Sequence, residues 1–365
     1  MDSPSSATPS SPIVRIGQGP VPLDRDEFER RYREQFADPA FAEAKEAVDQ
    51  VTRIAAEAYE ARRKTISSRP AGAGFQDPSH ELSTEWLDAR QKIHDAQQEF
   101  NDAGSVTRML LINASPRTDE TCPSEISKSF RLSGIARTTL EAEGCHVDLL
   151  DLSLLGAEYG RRIFPCKACV STAMPLCHWP CSCYPNHYLG QVQDWMNELY
   201  PRWVAAHGIM IITPVHWFQV PSGLKLMIDR LVCADGGNPD PTTTAGKDPA
   251  LAKEIELKGW DYPKHLAGRV FSLIVHGDAE GAGGVRRHLH DWLTGIGLIS
   301  AGPTAIVDRY IGYFEPYASS HEALDRDSAI QEETRHAAIA LARATAEMRA
   351  GRRPPGEDLP APRMK

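Results

Sequence analysis

No apolar run in the 365-residue chain approaches the roughly 20 residues that span a bilayer, so a membrane-crossing helix is not expected. Basic charge is also short. Lys and Arg total 40 against 49 Asp and Glu, a formal charge of −9, and no basic block offsets that balance. This argues against a nucleic-acid footprint and offers no grip on an anionic membrane surface. Residues 1–22 lack the basic start and apolar middle of a secretory signal, and the expected compartment is the cytoplasm. The loop at Asn113 to Arg117 lacks the glycines of a dinucleotide fingerprint and of an ATP-type phosphate loop. An acidic ribose-binding fingerprint is missing as well. Cysteine, by contrast, is plentiful: there are eight, five of them between Cys166 and Cys183. In a reducing compartment such crowding favours thiols or metal ligands over structural disulfides.

What the chain does have is an alternation of strands and helices. Arg108 to Arg117 reads RMLLINASPR: an apolar strand at Met109 to Ile112, a loop, then helical spacing from Ile126 to Leu140. His146 to Asp151 reads as a second strand. His207 to Thr213, HGIMIIT, is the third. It lacks alternation and so predicts burial on both faces of a central parallel strand. Arg269 to His276 is the fourth, and Leu298 to Val307 a fifth, broken strand. Between them the spacing predicts helices at Gln191 to Ala205, Ser222 to Leu231 and Val285 to Thr294, with one long Ala-rich helix at His321 to Met348. The pattern is an open, doubly wound α/β sheet whose ligands sit at the carboxyl ends of the strands.

Outside that core, residues 1–22 are Ser- and Pro-rich and expected to be disordered. Residues 23–104 form a helical arm, with apolar stripes through Phe28, Tyr32, Phe36 and then Val48, Val51, Ala55 and Tyr59, and a further helix at Leu82 to Phe100. The stripes need a partner: their own domain, a sister subunit, or an active site roofed through Trp86 or Tyr59. The main domain runs over 105–349, interrupted by a cysteine-rich insertion at 160–187 and a Gly/Pro-rich insertion at 235–266. A flexible tail occupies 350–365.

The loop after the first strand carries hydroxyls and a guanidinium instead of glycines: Ser115, Arg117, Thr118, Thr121 and Ser124. Placed before a helix N-terminus, such a cradle suits a terminal phosphomonoester, whose exposed oxygens take several separate donors. An ordinary Ser-Pro turn would look similar. The loop after the third strand offers backbone N–H groups at Val215 to Phe218, beside two aromatic side chains that would serve equally as core residues.

Three segments, NASPRTDETC at Asn113 to Cys122, TPVHWFQVPSGLKLMIDR at Thr213 to Arg230, and HGDAEGAGG at His276 to Gly284, together resemble the flavodoxin-like family of NAD(P)H-dependent FMN reductases, quinone reductases and iron–sulfur flavoproteins. The resemblance implies a five-stranded parallel sheet in the order 2-1-3-4-5, here with a helical N-terminal extension. It also implies FMN as cofactor and NAD(P)H as co-substrate. By the same resemblance, Ser115 and Arg117 meet the FMN phosphate, with Thr121, Cys122 and Ser124 in the remainder of that loop. Pro214, Val215, His216, Trp217 and Phe218 lie along the ring, and His276, Gly277 and Asp278 close over its edge. His216 is the candidate proton donor, although a structural histidine fits that position as well. A homodimer or homotetramer is implied, because such enzymes commonly build the ring pocket between subunits.

The segment PCKACVSTAMPLCHWPCSCYP at Pro165 to Pro185 places Cys166, Cys169, Cys177, Cys181 and Cys183 as candidate metal ligands, since short loops let thiolates converge. Iron–sulfur members of the resembled family carry a cluster here, with a third cysteine soon after the C-x-x-C pair. This chain has Val170 to Ala173 there instead. A [4Fe–4S] cluster, zinc with His178 as a substitute ligand, and structural or redox-active thiols all remain open.

The expected activity is that of an FMN-dependent oxidoreductase, passing hydride from NAD(P)H by a ping-pong route to a small-molecule acceptor: a quinone, free flavin, or an azo or nitro compound. Two alternatives are an iron–sulfur flavoprotein fed by ferredoxin or another carrier, and a flavin electron carrier or redox sensor without a substrate of its own.

Overall fold

Residues 19–118, 127–278, 280–316 and 319–352 are described by the structure, a computed structural model. In chain order they form α1 (Arg25–Arg33), α2 (Lys45–Glu60), β1 (Ser68–Pro70), β2 (Glu81–Ser83), α3 (Thr84–Asn101), β3 (Arg108–Asn113), α4 (Lys128–Ala142), β4 (His146–Asp151), α5 (Leu154–Ala157), α6 (Met196–Ala205), β5 (Gly208–Pro214), α7 (Ser222–Arg230), α8 (Pro249–Leu257), β6 (Val270–Gly277), α9 (Ala282–Gly295), β7 (Ile299–Ser300), β8 (Ile306–Tyr310), α10 (Ser320–Arg326) and α11 (Ser328–Arg349).

The apolar runs become the strands of one parallel sheet, ordered β4-β3-β5-β6-β7, with β8 also pairing β6. This is the expected 2-1-3-4-5 arrangement, its fifth position shared by two short strands. The break lies at Gly302 and Pro303, where a left-handed glycine and a 3-10 turn interrupt the ladder. Side chains then alternate between two cores, as the pleat requires. Leu110, Ile112, Ile209, Ile211, Phe271 and Leu273 face one core, while Met109, Leu111, Met210, Ile212, Val270 and Ile274 face the other. The first core is closed by α3, α6 and α9 and the second by α4 and α11. Each fully buried aliphatic side chain contributes about 1.5–3 kcal/mol. Gly208 opens β5 because α11 passes directly over it: a Cβ there would lie 2.8 Å from Thr345 Oγ1.

Two helices differ from the spacing-based expectation. The helix drawn from Gln191 begins only at Met196, because Asp194 is drawn inward to pair with Arg230. The long terminal helix is two helices, divided at Asp327, whose carboxylate caps α11 by accepting from Ala329 and Ile330 N–H. In the arm, Pro70 lies in a short strand. It closes the short antiparallel pair β1–β2.

The arm's stripes are partnered within the chain only in part, and Val51 stays exposed. Tyr59 stacks on Phe28 at 4.3 Å and its hydroxyl accepts from Leu23 N–H. Trp86 donates from Nε1 to Pro180 O at 2.8 Å, and Lys64 Nζ donates to Ser182 O at 2.8 Å. Trp86 and Lys64 therefore reach the cysteine-rich insertion. Among the described residues no helix is long and apolar enough to cross a membrane.

Candidate functional site

The carboxyl ends of β3, β5 and β6 are adjacent, and the order reverses between β3 and β5, the kind of position where open α/β sheets form a ligand crevice. Backbone bonds knit the three following loops together. Ala114 N–H donates to Ile212 O at 3.0 Å, and Val215 N–H to His276 O at 2.9 Å.

In the first loop, Asn113 is fully buried and donates from Nδ2 to Asp151 Oδ1 at 2.8 Å. Its own Oδ1 accepts from Ser115 N–H at 3.4 Å. Ser115 is buried in turn, and its Oγ accepts from Arg117 N–H at 3.2 Å. Short polar side chains bonding to the backbone two residues on are what shape such a turn. The chain then reaches α4, whose N-cap Ser127 accepts from Phe130 N–H at 3.0 Å. Thr121, Cys122 and Ser124 lie outside the described residues.

The second loop is a tight turn closed by reciprocal bonds, His216 N–H to Gln219 O at 2.8 Å and Gln219 N–H to His216 O at 2.9 Å. Its central residues, Trp217 and Phe218, have φ of 47° and 64°. Two consecutive left-handed residues define the type I′ turn, normally built from Asn and Gly. Holding two aromatics there costs about 1–3 kcal/mol each, a cost that concentrates at functional sites. Neither ring repays it by burial: Trp217 is 93% and Phe218 62% exposed, so these are not the core aromatics they could have been. Their N–H groups have no acceptor among the described residues. Pro214 ends β5, Val215 is buried, and His216 lies at the surface, its pKa lowered by partial burial.

The third loop supplies the contact that locks the second. Gly281 has φ 111°, and a Cβ there would stand 2.9 Å from Phe218 Cα, so this backbone approach requires glycine. His276 differs from the expectation for a ring-edge group. Its side chain is buried, and Nε2 is 2.7 Å from Ser129 Oγ on α4, so it ties the third loop to the helix of the first. Gly277 follows as the last residue of β6, and Asp278 is exposed beyond it.

Burial pushes the His276 pKa down to about 3 and the His207 pKa, by the same cause, to about 4. Both stay neutral in the folded chain while an unfolded chain protonates them near pH 6.5. Their stabilising effect is therefore complete above about pH 6.5 and is lost progressively as pH falls toward the folded values. The expected loss is about 1.4 kcal/mol per pH unit for each histidine. Urea melts at about pH 7.5 and about pH 5 should show a lower midpoint at the acid end, and His276→Gln should flatten that dependence by one proton. Equal midpoints would contradict the burial of these imidazoles.

The five cysteines of the insertion converge only in part. Cys169 Sγ and Cys183 Sγ are 3.4 Å apart, and Lys247 Nζ, from the 235–266 segment, is 3.5 Å from each. The hydrogen bond from Cys183, together with the Lys247 ammonium, holds the Cys169 thiol down at about 6 against the opposing effect of burial. Burial pushes Cys177 up, whereas Cys181 is raised first by its bond with Cys183 and then by burial. Cys166 is half-buried and accepts from Ala168 N–H at 3.3 Å. Among the described residues no group of three or more His, Cys, Asp or Glu is placed to hold a metal ion. His178, the substitute zinc ligand, is buried with Nδ1 2.7 Å from Ser182 Oγ. Sequence reasoning missed Lys247, since a lone lysine more than sixty residues from its sulfurs leaves no local signal.

A groove of about 810 Å³ lies between α1, α2 and residues 187–193. It shares no lining residue with the three loops.

Comparison with known proteins adds one family match. The family described as NADPH-dependent FMN reductase matches residues 107–311. No curated protein matches the chain. Among solved structures, RosB with bound 8-demethyl-8-formylriboflavin-5'-phosphate is 15% identical, covering 67% of this chain and 81% of RosB at a TM-score of 0.48. An NAD(P)H:quinone oxidoreductase from Methanothermobacter marburgensis is 16% identical, covering 67% of this chain and 96% of its own at 0.36. A flavone reductase is 14% identical, covering 68% and 66% at 0.40.

Proposed function

Since the chain belongs to the NADPH-dependent FMN reductase family and is thus an FMN-binding, NAD(P)H-dependent oxidoreductase related to flavin and quinone reductases, we propose that its three knitted loops hold FMN and that a quinone or free flavin is the acceptor. The observation that carries this reading is the turn at Trp217 and Phe218, with two exposed aromatics at positive φ and two N–H groups lacking acceptors among the described residues. A soluble core gains nothing from such a turn, whereas a planar, polar-edged ring would use both its faces and its donors.

The residues fit the cofactor. The Arg117 guanidinium and the hydroxyls of Ser115 and Thr118 would supply phosphate donors in the loop that precedes α4, with Thr121, Cys122 and Ser124 assigned to the same loop. Pro214 and Val215 set the approach to the ring, and the Trp217 and Phe218 N–H groups lend hydrogen bonds to its polar edge. Gly277 and Asp278 border that edge. His276 acts as a positioning residue through Ser129. His216, uncharged at neutral pH because burial lowers its pKa, donates a hydrogen bond to the reduced acceptor. FMN, when bound, supplies the hydride acceptance and release that no side chain can perform.

The exposed Trp217 and Phe218 rings also support self-association as a homodimer or homotetramer. Initial-rate plots with NAD(P)H and a quinone should give parallel lines, since the two substrates use one ring face in turn. Intersecting lines would contradict that sequence.

A further inference from the structure

Cys169 and Cys183 meet outside the three loops, in the cysteine-rich insertion, with their sulfurs 3.4 Å apart. The two thiols are unlike. Cys169 is half-buried, while Cys183 is buried. Facing both is Lys247, whose ammonium lies 3.5 Å from each sulfur and makes one further bond, at 3.4 Å, to Leu176 O. A second ammonium, Lys64, is fixed to Ser182 O, one residue from Cys183. A buried ammonium against two sulfurs stabilises a thiolate. This pair therefore has a counter-charge 3.5 Å from each sulfur.

We propose that Cys169 and Cys183 form a reversible disulfide site, with Cys169 the attacking thiol, Cys183 the resolving thiol and Lys247 the group that keeps Cys169 reactive; its oxidant is a low-molecular-weight disulfide. The Cys169 thiolate attacks one sulfur of the oxidant RSSR, forming a mixed disulfide and releasing RS⁻. Cys183 gives up its proton to solvent and attacks Cys169 Sγ, closing the protein disulfide and releasing the second RS⁻. Two protein thiols are oxidised, one RSSR is reduced, and both RS⁻ take up protons as RSH.

The test is to expose the reduced full-length protein to oxidised glutathione, quench in acid, block free thiols and map the peptides. The expected result is a peptide linking Cys169 to Cys183, with two thiols lost and both restored by dithiothreitol. Cys177→Ser should behave like the parent, Cys169→Ser should yield no linked peptide, and Lys247→Met should slow linkage about tenfold as the thiolate fraction falls. Absence of linkage in the parent, linkage through other cysteines, or linkage at an unchanged rate in Lys247→Met would overturn the proposal. So would stoichiometric iron or zinc in the purified protein that shields both thiols until it is chelated.

Discussion

Replacing Arg117 with alanine is expected to weaken FMN binding about 10- to 100-fold, because a hydrogen bond to a charged group contributes about 1.5–3 kcal/mol. Arg117 follows a turn shaped by Asn113 and Ser115, whose side chains bond to the backbone N–H groups of Ser115 and Arg117 and keep those bonds in the variant. Arg117→Lys should recover part of the loss: it restores the charge without the planar fork that meets two phosphate oxygens at once. Fluorescence titration of flavin-free protein checks this, since bound flavin changes its emission. Riboflavin, which lacks the phosphate, should bind parent and variant equally. If FMN affinity is unchanged in Arg117→Ala, the phosphate lies elsewhere.

The largest stability effect is expected at Asp194. Its carboxylate meets Arg230 twice, Oδ2 at 2.5 Å and Oδ1 at 3.1 Å, with both side chains fully buried. Arg230 also donates to Phe164 O at 3.0 Å and lies 4.7 Å from the Tyr184 ring. The pair thus fastens both ends of the cysteine-rich insertion to α7. Asp194→Ala leaves a buried guanidinium without its counter-charge and should cost about 3–5 kcal/mol. Replacing both partners with apolar residues of similar volume should cost far less, because no charge is then stranded. Denaturant melts of the single and double variants separate the two cases, and equal losses would mean that the contact matters through packing and not through charge.

Local pattern carried most of the sheet. β5 and β6 are buried on both faces, and that burial is visible as an unbroken apolar run in β5 and as one interrupted by Ser272 in β6. The division at Asp327 was equally readable, since Asp-Ser before an apolar stripe is an N-cap signal, but the alanine periodicity on both sides hid it. Other features had no local signature. β1 and β2 have three residues each, one of them a proline, too short for alternation to register. His276 was legible as the end of a strand, yet its partner Ser129 is 147 residues away, and only tertiary packing reveals that the imidazole points inward. Spacing brought five cysteines together as a set of equivalents. Packing distinguishes them, because Lys247 selects Cys169 and Cys183. The turn at Trp217 and Phe218 is the opposite kind of failure: aromatic residues argue against a left-handed turn, so a local rule is broken where the proposed flavin ring lies.

The central claim is that one FMN sits on the loops after β3, β5 and β6 and accepts hydride from NAD(P)H. Anaerobic titration of the FMN-loaded protein, followed by visible absorption, tests it most directly. One FMN per chain should be bleached by one equivalent of NADH or NADPH, and the colour should return on addition of a quinone. Failure to bind FMN, or a bound flavin that neither nucleotide bleaches, would contradict the account.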